Sequence, residues 1–204
     1  MTEVEILLFD GLDELDALGP FEVLRQAERT GAPLSCRLAT LAGAREVEGA
    51  NGLTFRAGGP LGRPGWIVVP GGGWGERAER GAWGEARRGG YPRALAEAHA
   101  RGTRIASVCT GAMLVAEAGL LRGRPAVTHR TAMGALAAAG AEPVDARVVD
   151  DGDLMTAGGI SSGLDLGLWL VSRLAGPAVA AAVAEEMELT QGKVHLGPRA
   201  APVP

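Results

Sequence analysis

Two short runs constrain this chain more than anything else in it: Trp66–Val69, and Arg104–Val108, apolar or small after its first residue. Each has the length of a strand, and each runs straight into a turn of small residues. These turns are Pro70-Gly71-Gly72-Gly73 and Cys109-Thr110-Gly111. Strands that are apolar on both faces belong inside a parallel sheet covered by helices on either side. The rest of the chain supplies those helices. Residues 4–9 read as a further buried strand. Leu15, Leu18, Phe21 and Leu24 then recur at helical spacing to about Glu28, with a break expected at Gly19-Pro20. A strand over 35–41 follows, and then a hairpin over 46–57 turning at Asn51-Gly52. Residues 76–101 read as helix broken near Gly89, Gly90 and Pro92. Helices are also expected over 111–118, 130–139, 163–174 and 177–189, with a short strand at 126–128. Asp151-Gly152 signals a hairpin, and 191–204 reads as a loose tail. Alternating strands and helices define an α/β fold, a doubly wound, mostly parallel sheet sandwiched by helices in one domain. Such sheets bind ligands beyond the carboxyl ends of their strands, here after Phe9, Val69 and Val108.

Composition narrows the function. The chain has 204 residues, enough to bury a core without staples, and 32 glycines suit many tight turns. A net charge of −4 gives no attraction to nucleic acid or anionic membranes, and no such partner is expected. Two cysteines make no disulfide framework. Residues 1–9 lack a basic leader, and no apolar run of ~18 residues exists, so a cytoplasmic protein is expected.

Cys109 is the sharpest candidate for chemistry. It sits between a strand and a helix, with Ser107 two residues before it and Gly111 two after. That is the logic of a nucleophile elbow, a tight turn that lifts a side chain clear of the fold. A helix start beside the sulfur favours its thiolate, so a lowered Cys109 pKa is expected, and the Thr110 N–H can bind a developing anion. The Gly71-Gly72-Gly73 turn can bring further N–H groups close to a ligand. Asp16 stands in an apolar setting and needs a partner if buried. Thr128-His129 closes a strand. His99 and His195 are expected to face solvent, Cys36 to be a core residue, and the wide spacing of the histidines offers no metal site.

Taken together, Leu15-Asp16-Ala17-Leu18-Gly19-Pro20, Val69-Pro70-Gly71-Gly72-Gly73, Val108-Cys109-Thr110-Gly111-Ala112, Val127-Thr128-His129 and Thr156-Ala157-Gly158-Gly159-Ile160-Ser161 resemble the ThiJ/PfpI superfamily. Its fold is like that of class I glutamine amidotransferases, which is flavodoxin-like. The resemblance covers a domain over 1–190, leaving 191–204 as a C-terminal tail. It implies Cys109 as nucleophile, Asp16 as an acid hydrogen-bonded to it, and Gly72 and Thr110 N–H groups as an oxyanion hole beside Gly73. His129, Gly159, Ile160 and Ser161 would line the pocket. The peptidase-like branch has His directly after the cysteine, where this chain has Thr110. The details look closest to isocyanide hydratases and to the ligand-like domains of AraC-type regulators. The resemblance therefore implies a hydratase or hydrolase of a small electrophilic substrate, without cofactor or metal, in a homodimer. A non-catalytic redox-sensing or ligand-binding module, or a glyoxal-detoxifying enzyme, are the alternatives it leaves open.

Overall fold

The computed structural model describes residues 1–201; the last three residues of the expected tail, 202–204, lie outside the described residues. Seven strands form the central sheet. In chain order they are β1 (Thr2–Leu7), β2 (Leu34–Ala39), β5 (Trp66–Val69), β6 (Arg104–Val108), β9 (Val148–Asp150), β10 (Leu154–Ala157) and β11 (Val194–Leu196), arranged β11-β9-β10-β6-β5-β1-β2. All neighbours run parallel except β9 and β10, which form the hairpin that Asp151-Gly152 signals. β5 is buried at every position, as a central strand must be. The sheet is therefore α/β and mostly parallel, as expected.

Two minor sheets lie outside it. β3 (Arg45–Glu48) and β4 (Thr54–Ala57) form the expected hairpin, while β7 (Pro125–Ala126) pairs with β8 (Glu142–Pro143). The helices are α1 (Glu14–Arg29), α2 (Ala82–Arg88), α3 (Gly90–Ala100), α4 (Gly111–Glu117), α5 (Met133–Ala138), α6 (Ser162–Ala175) and α7 (Pro177–Glu186), with a 3₁₀ turn over Arg130–Ala132.

Four expectations are corrected. α1 runs unbroken through Pro20. Proline removes one N–H there, but packing of the helix against α6 outweighs the loss. Its buried face is Ala17, Pro20, Val23, Leu24 and Ala27, while Leu15 is exposed. The tail is not loose, because Val194–Leu196 adds a parallel strand to the edge of β9. His195 lies in that strand and is half-buried. His99 is mostly buried, its Nε2 lying 2.7 Å from an Asp153 oxygen.

Candidate functional site

β6 ends at Val108, and the next residue must swing the chain into α4. Cys109 does so with a φ of 56°. That left-handed conformation costs a residue with a Cβ about 1–2 kcal/mol. Several contacts hold it in place. The Cys109 N–H donates to the Ala157 and Gly158 carbonyls, at 3.0 and 2.9 Å. Its own carbonyl accepts the Thr128 hydroxyl at 2.8 Å. The glycine-rich turn after β5 presses against the elbow so closely that a Cβ on Gly111 would lie 2.1 Å from the Val69 carbonyl oxygen. Ile160, with a φ of 41°, is a second left-handed residue, and its N–H and that of Thr110 point at the Cys109 sulfur and favour its anion.

Asp16 reaches the elbow because α1 and α6 cross at close range. Small residues face each other there: a Cβ on Gly19 would lie 3.3 Å from Gly163, and one on Gly167 would lie 2.8 Å from the Val23 Cβ. Asp13 caps α1 by accepting the Leu15 N–H at 3.1 Å, and Asp16 turns inward with no exposure at all. Its Oδ2 accepts the Gly71 N–H at 3.0 Å. Oδ1 is buried without a well-formed hydrogen bond, although the carboxyl group lies near enough to the Cys109 thiol for each to shift the other.

Burial pushes the Asp16 carboxyl up to about 7, helped by the charge of Asp13 and opposed by the Gly71 N–H and by Cys109. Burial also pushes the Cys109 thiol up to about 12, helped by the charge of Asp16 and opposed by the N–H groups of Ile160 and Thr110. The lowered thiol expected from the sequence is therefore corrected. Desolvation and a neighbouring carboxylate outweigh the short α4 helix. The two groups form one coupled pair that sheds a proton near neutrality and holds the other tightly. The remaining proton has two homes. On sulfur it leaves a carboxylate, and on Asp16 it leaves a thiolate free of the neighbouring charge.

The other anticipated residues divide. Gly72 donates its N–H to the Thr110 hydroxyl oxygen at 2.9 Å. It is not a free oxyanion donor, and Thr110 uses its side chain to tie the turn to the elbow. Gly72 and Gly73 border a cleft of about 560 Å³. His129, Gly159, Ile160 and Ser161 come together in a larger cleft of about 780 Å³. The His129 ring packs against Gly159, where a Cβ would lie 2.5 Å from its Cδ2, and its Nδ1 is 2.8 Å from the Thr131 hydroxyl. Cys109, 6% exposed, and Asp16 line neither cleft, but Gly72, bonded to Thr110, borders the smaller one, and Ile160, whose N–H points at the sulfur, borders the larger. Sequence reasoning missed three contacts: the Gly71 N–H on Asp16, the Thr128 hydroxyl on the elbow, and the Ile160 N–H at the sulfur. The strand-end Thr128 and the Gly-Gly-Ile motif were visible, but partners 19 to 55 residues apart leave no local trace. Among the described residues no group of His, Cys, Asp and Glu is arranged to hold a metal ion.

Known proteins resemble this chain in sequence and fold. An isonitrile hydratase from Pseudomonas putida is 44% identical over 84 residues, which are 41% of this chain and 37% of that protein. The match thus spans well under half the length of that relative. A ThiJ/PfpI family protein from Pseudomonas syringae superposes with a TM-score of 0.80 at 27% identity, over 92% of this chain and 74% of the other. An AraC family transcriptional regulator from Pseudomonas putida shares the fold, with a TM-score of 0.76 at 22% identity over 92% of this chain and all of the other. Residues 2–173, which hold all of the central sheet except β11 together with Asp16 and Cys109, match the DJ-1/PfpI family. The chain belongs to the DJ-1/PfpI family.

Proposed function

We propose that the chain is a cysteine-dependent hydratase of small electrophiles, converting an isocyanide and water to an N-substituted formamide. One observation carries the reading: a cysteine held in the left-handed conformation lies beside a wholly buried carboxyl group on α1 that has no cation next to it. The likeness to an isonitrile hydratase supports the substrate class. In the reaction the Cys109 sulfur bonds to the isocyanide carbon. Asp16 delivers the pair's proton to that same carbon, giving a thioimidate. Water adds across the C=N bond, its hydroxyl to carbon and a proton to nitrogen, and the carbon–sulfur bond breaks as the hydroxyl proton passes to the pair. The formamide leaves and the thiol is restored. The N–H groups of Thr110 and Ile160 steady the sulfur while it is anionic. Substrate enters from the cleft bordered by His129, Gly159, Ile160 and Ser161, and two copies of the chain form the working unit.

Incubation with an alkyl isocyanide, followed by detection of the formamide, tests this. Formamide from the wild type but not from Cys109→Ala supports it. If no formamide forms while peroxide oxidises Cys109 reversibly, the redox-sensing reading replaces it. Loss of a glyoxal in place of the isocyanide favours the detoxifying reading. Light scattering at twice the chain mass supports the dimer.

A further inference from the structure

The larger cleft is charged in a way the whole chain is not. The chain carries −4, yet this cleft is lined by Arg130, Arg147 and Lys193 against one carboxylate, Asp145. Arg147 is already engaged, its Nε lying 2.8 Å from an Asp165 oxygen and its fork 3.3 Å from the Ser161 hydroxyl. The ion pairs of this region include Arg147–Asp165, Arg124 with Asp151 and Asp153, Arg173–Asp150 and Arg199–Asp151, and among the described residues Arg130 and Lys193 take part in none. Lys193 is the only lysine of the chain. It reaches the cleft through the segment leading into β11, where its carbonyl accepts the Arg147 N–H at 3.1 Å. Beyond β11 the chain is fastened at Arg199, whose N–H and guanidinium donate to Asp151 at 3.1 and 2.9 Å. Lys193 lies beyond residues 2–173, so the family match does not cover it. The smaller cleft has the opposite bias, with Asp13, Glu48 and Glu76 against Arg80.

Resting on the hydratase reading, we propose that the substrate carries a carboxylate, held by Lys193 and Arg130 in the larger cleft while its electrophilic carbon lies at Cys109. Unpaired cations in a concave wall raise the local concentration of an anion. The flat guanidinium of Arg130 matches a carboxylate in shape. The smaller, acidic cleft repels the same group, so an anion favours the larger one.

Two reagents of nearly equal size separate this from the hydratase reading. Iodoacetate and iodoacetamide both alkylate a thiolate by forming a carbon–sulfur bond as iodide leaves, and they differ in charge. The ratio of their rates at Cys109 is measured in the folded protein, with the urea-unfolded chain as reference. The expected result is a ratio shifted towards iodoacetate in the folded protein. Lys193→Gln and Arg130→Gln should each reduce it by about 2- to 5-fold, the worth of one solvent-exposed charge pair. High salt should reduce it as well. An unshifted ratio, or a Cys109 that neither reagent reaches, overturns the proposal. The same variants are then assayed with a carboxylate-bearing isocyanide and its methyl ester. A higher kcat/KM for the carboxylate, reduced by Lys193→Gln, supports both readings. A higher value for the ester overturns the anionic substrate alone. No formamide from either, with the alkylation ratio still shifted, removes the hydratase and leaves the anion-binding cleft standing.

Discussion

One helix brings a carboxylate to each of the two cysteines, and the two meetings differ. At the far end of α1, Glu28 accepts the Cys36 N–H at 3.3 Å and is paired with Arg25 at 2.6 Å. At the near end, Asp16 meets Cys109 with no cation beside it. Both thiols are buried to a similar degree, and burial with a neighbouring carboxylate pushes both up to about 12. Resting acidity therefore does not distinguish them. What differs is the acid. Glu28 is partly solvated and paired with Arg25. Asp16 is wholly buried, titrates near 7, and can hold the proton that Cys109 must release. Backbone geometry differs as well, since Cys36 lies in the regular strand β2 while Cys109 is the left-handed turn itself.

The largest test of this contrast removes each sulfur in turn. Cys109→Ala should lower isocyanide turnover by a factor on the order of 10⁴ or more, the usual cost of losing a nucleophile. Cys36→Ala should leave kcat within a small factor of wild type. Equal losses in both variants would collapse the distinction. Next comes the acid. Asp16→Asn keeps a hydrogen-bond donor beside the sulfur but cannot transfer its proton, so turnover should fall by about 10²–10⁴.

The same variant has a second signature, in stability. Asp16 titrates near 4 in an unfolded chain and near 7 in the folded one. Its contribution is fully present below the unfolded value and is lost as pH rises through 7. Asp16→Asn should thus gain on the wild type as pH climbs, by on the order of 2–4 kcal/mol at pH 8 in urea melts. A constant offset from pH 4 to pH 8 would show that Asp16 is not the buried acid described.

Gly111→Ala should cost about 1–3 kcal/mol, because its Cβ meets the Val69 carbonyl and the elbow must shift. Iodoacetamide labelling of Cys109 should change in that variant, with Cys36 in the same sample as reference. The smallest expected effect is that of Glu28→Gln. It removes a charge that raises the Cys36 thiol, so Cys36 should titrate lower while turnover stays unchanged. A gain in catalysis there would mean that acidity alone makes a cysteine reactive in this fold.

Most of the sheet could be read from the sequence because a buried parallel strand betrays itself by being apolar on both faces, as Trp66–Val69 does. The elbow could be read because small residues must flank it. Helix α1 misled at Pro20, since a local rule about a missing N–H says nothing of the helix packed alongside. β11 was missed for a related reason. Val194–Leu196 is short and carries His195, and only the free edge of β9 makes it a strand. The acidity of Cys109 was misjudged because a helix start is visible in sequence, whereas the dielectric around a sulfur and the carboxylate 93 residues away are not. The Gly72 N–H was assigned to substrate because nothing local shows that the Thr110 hydroxyl takes it first.

The strand β11 has a consequence beyond the lysine it leads from. β9 is buried at all three positions, and without a neighbour its outer side would offer bare N–H and C=O groups next to apolar surface. Such an edge recruits whatever strand it meets, including the same strand of another molecule. Three residues, fastened by Arg199 on Asp151 and by Arg173 on the Ala201 carbonyl, close that edge. A protein cut before residue 191 would keep its cysteine, its acid and nearly all of its core, yet its characteristic failure would be aggregation rather than unfolding.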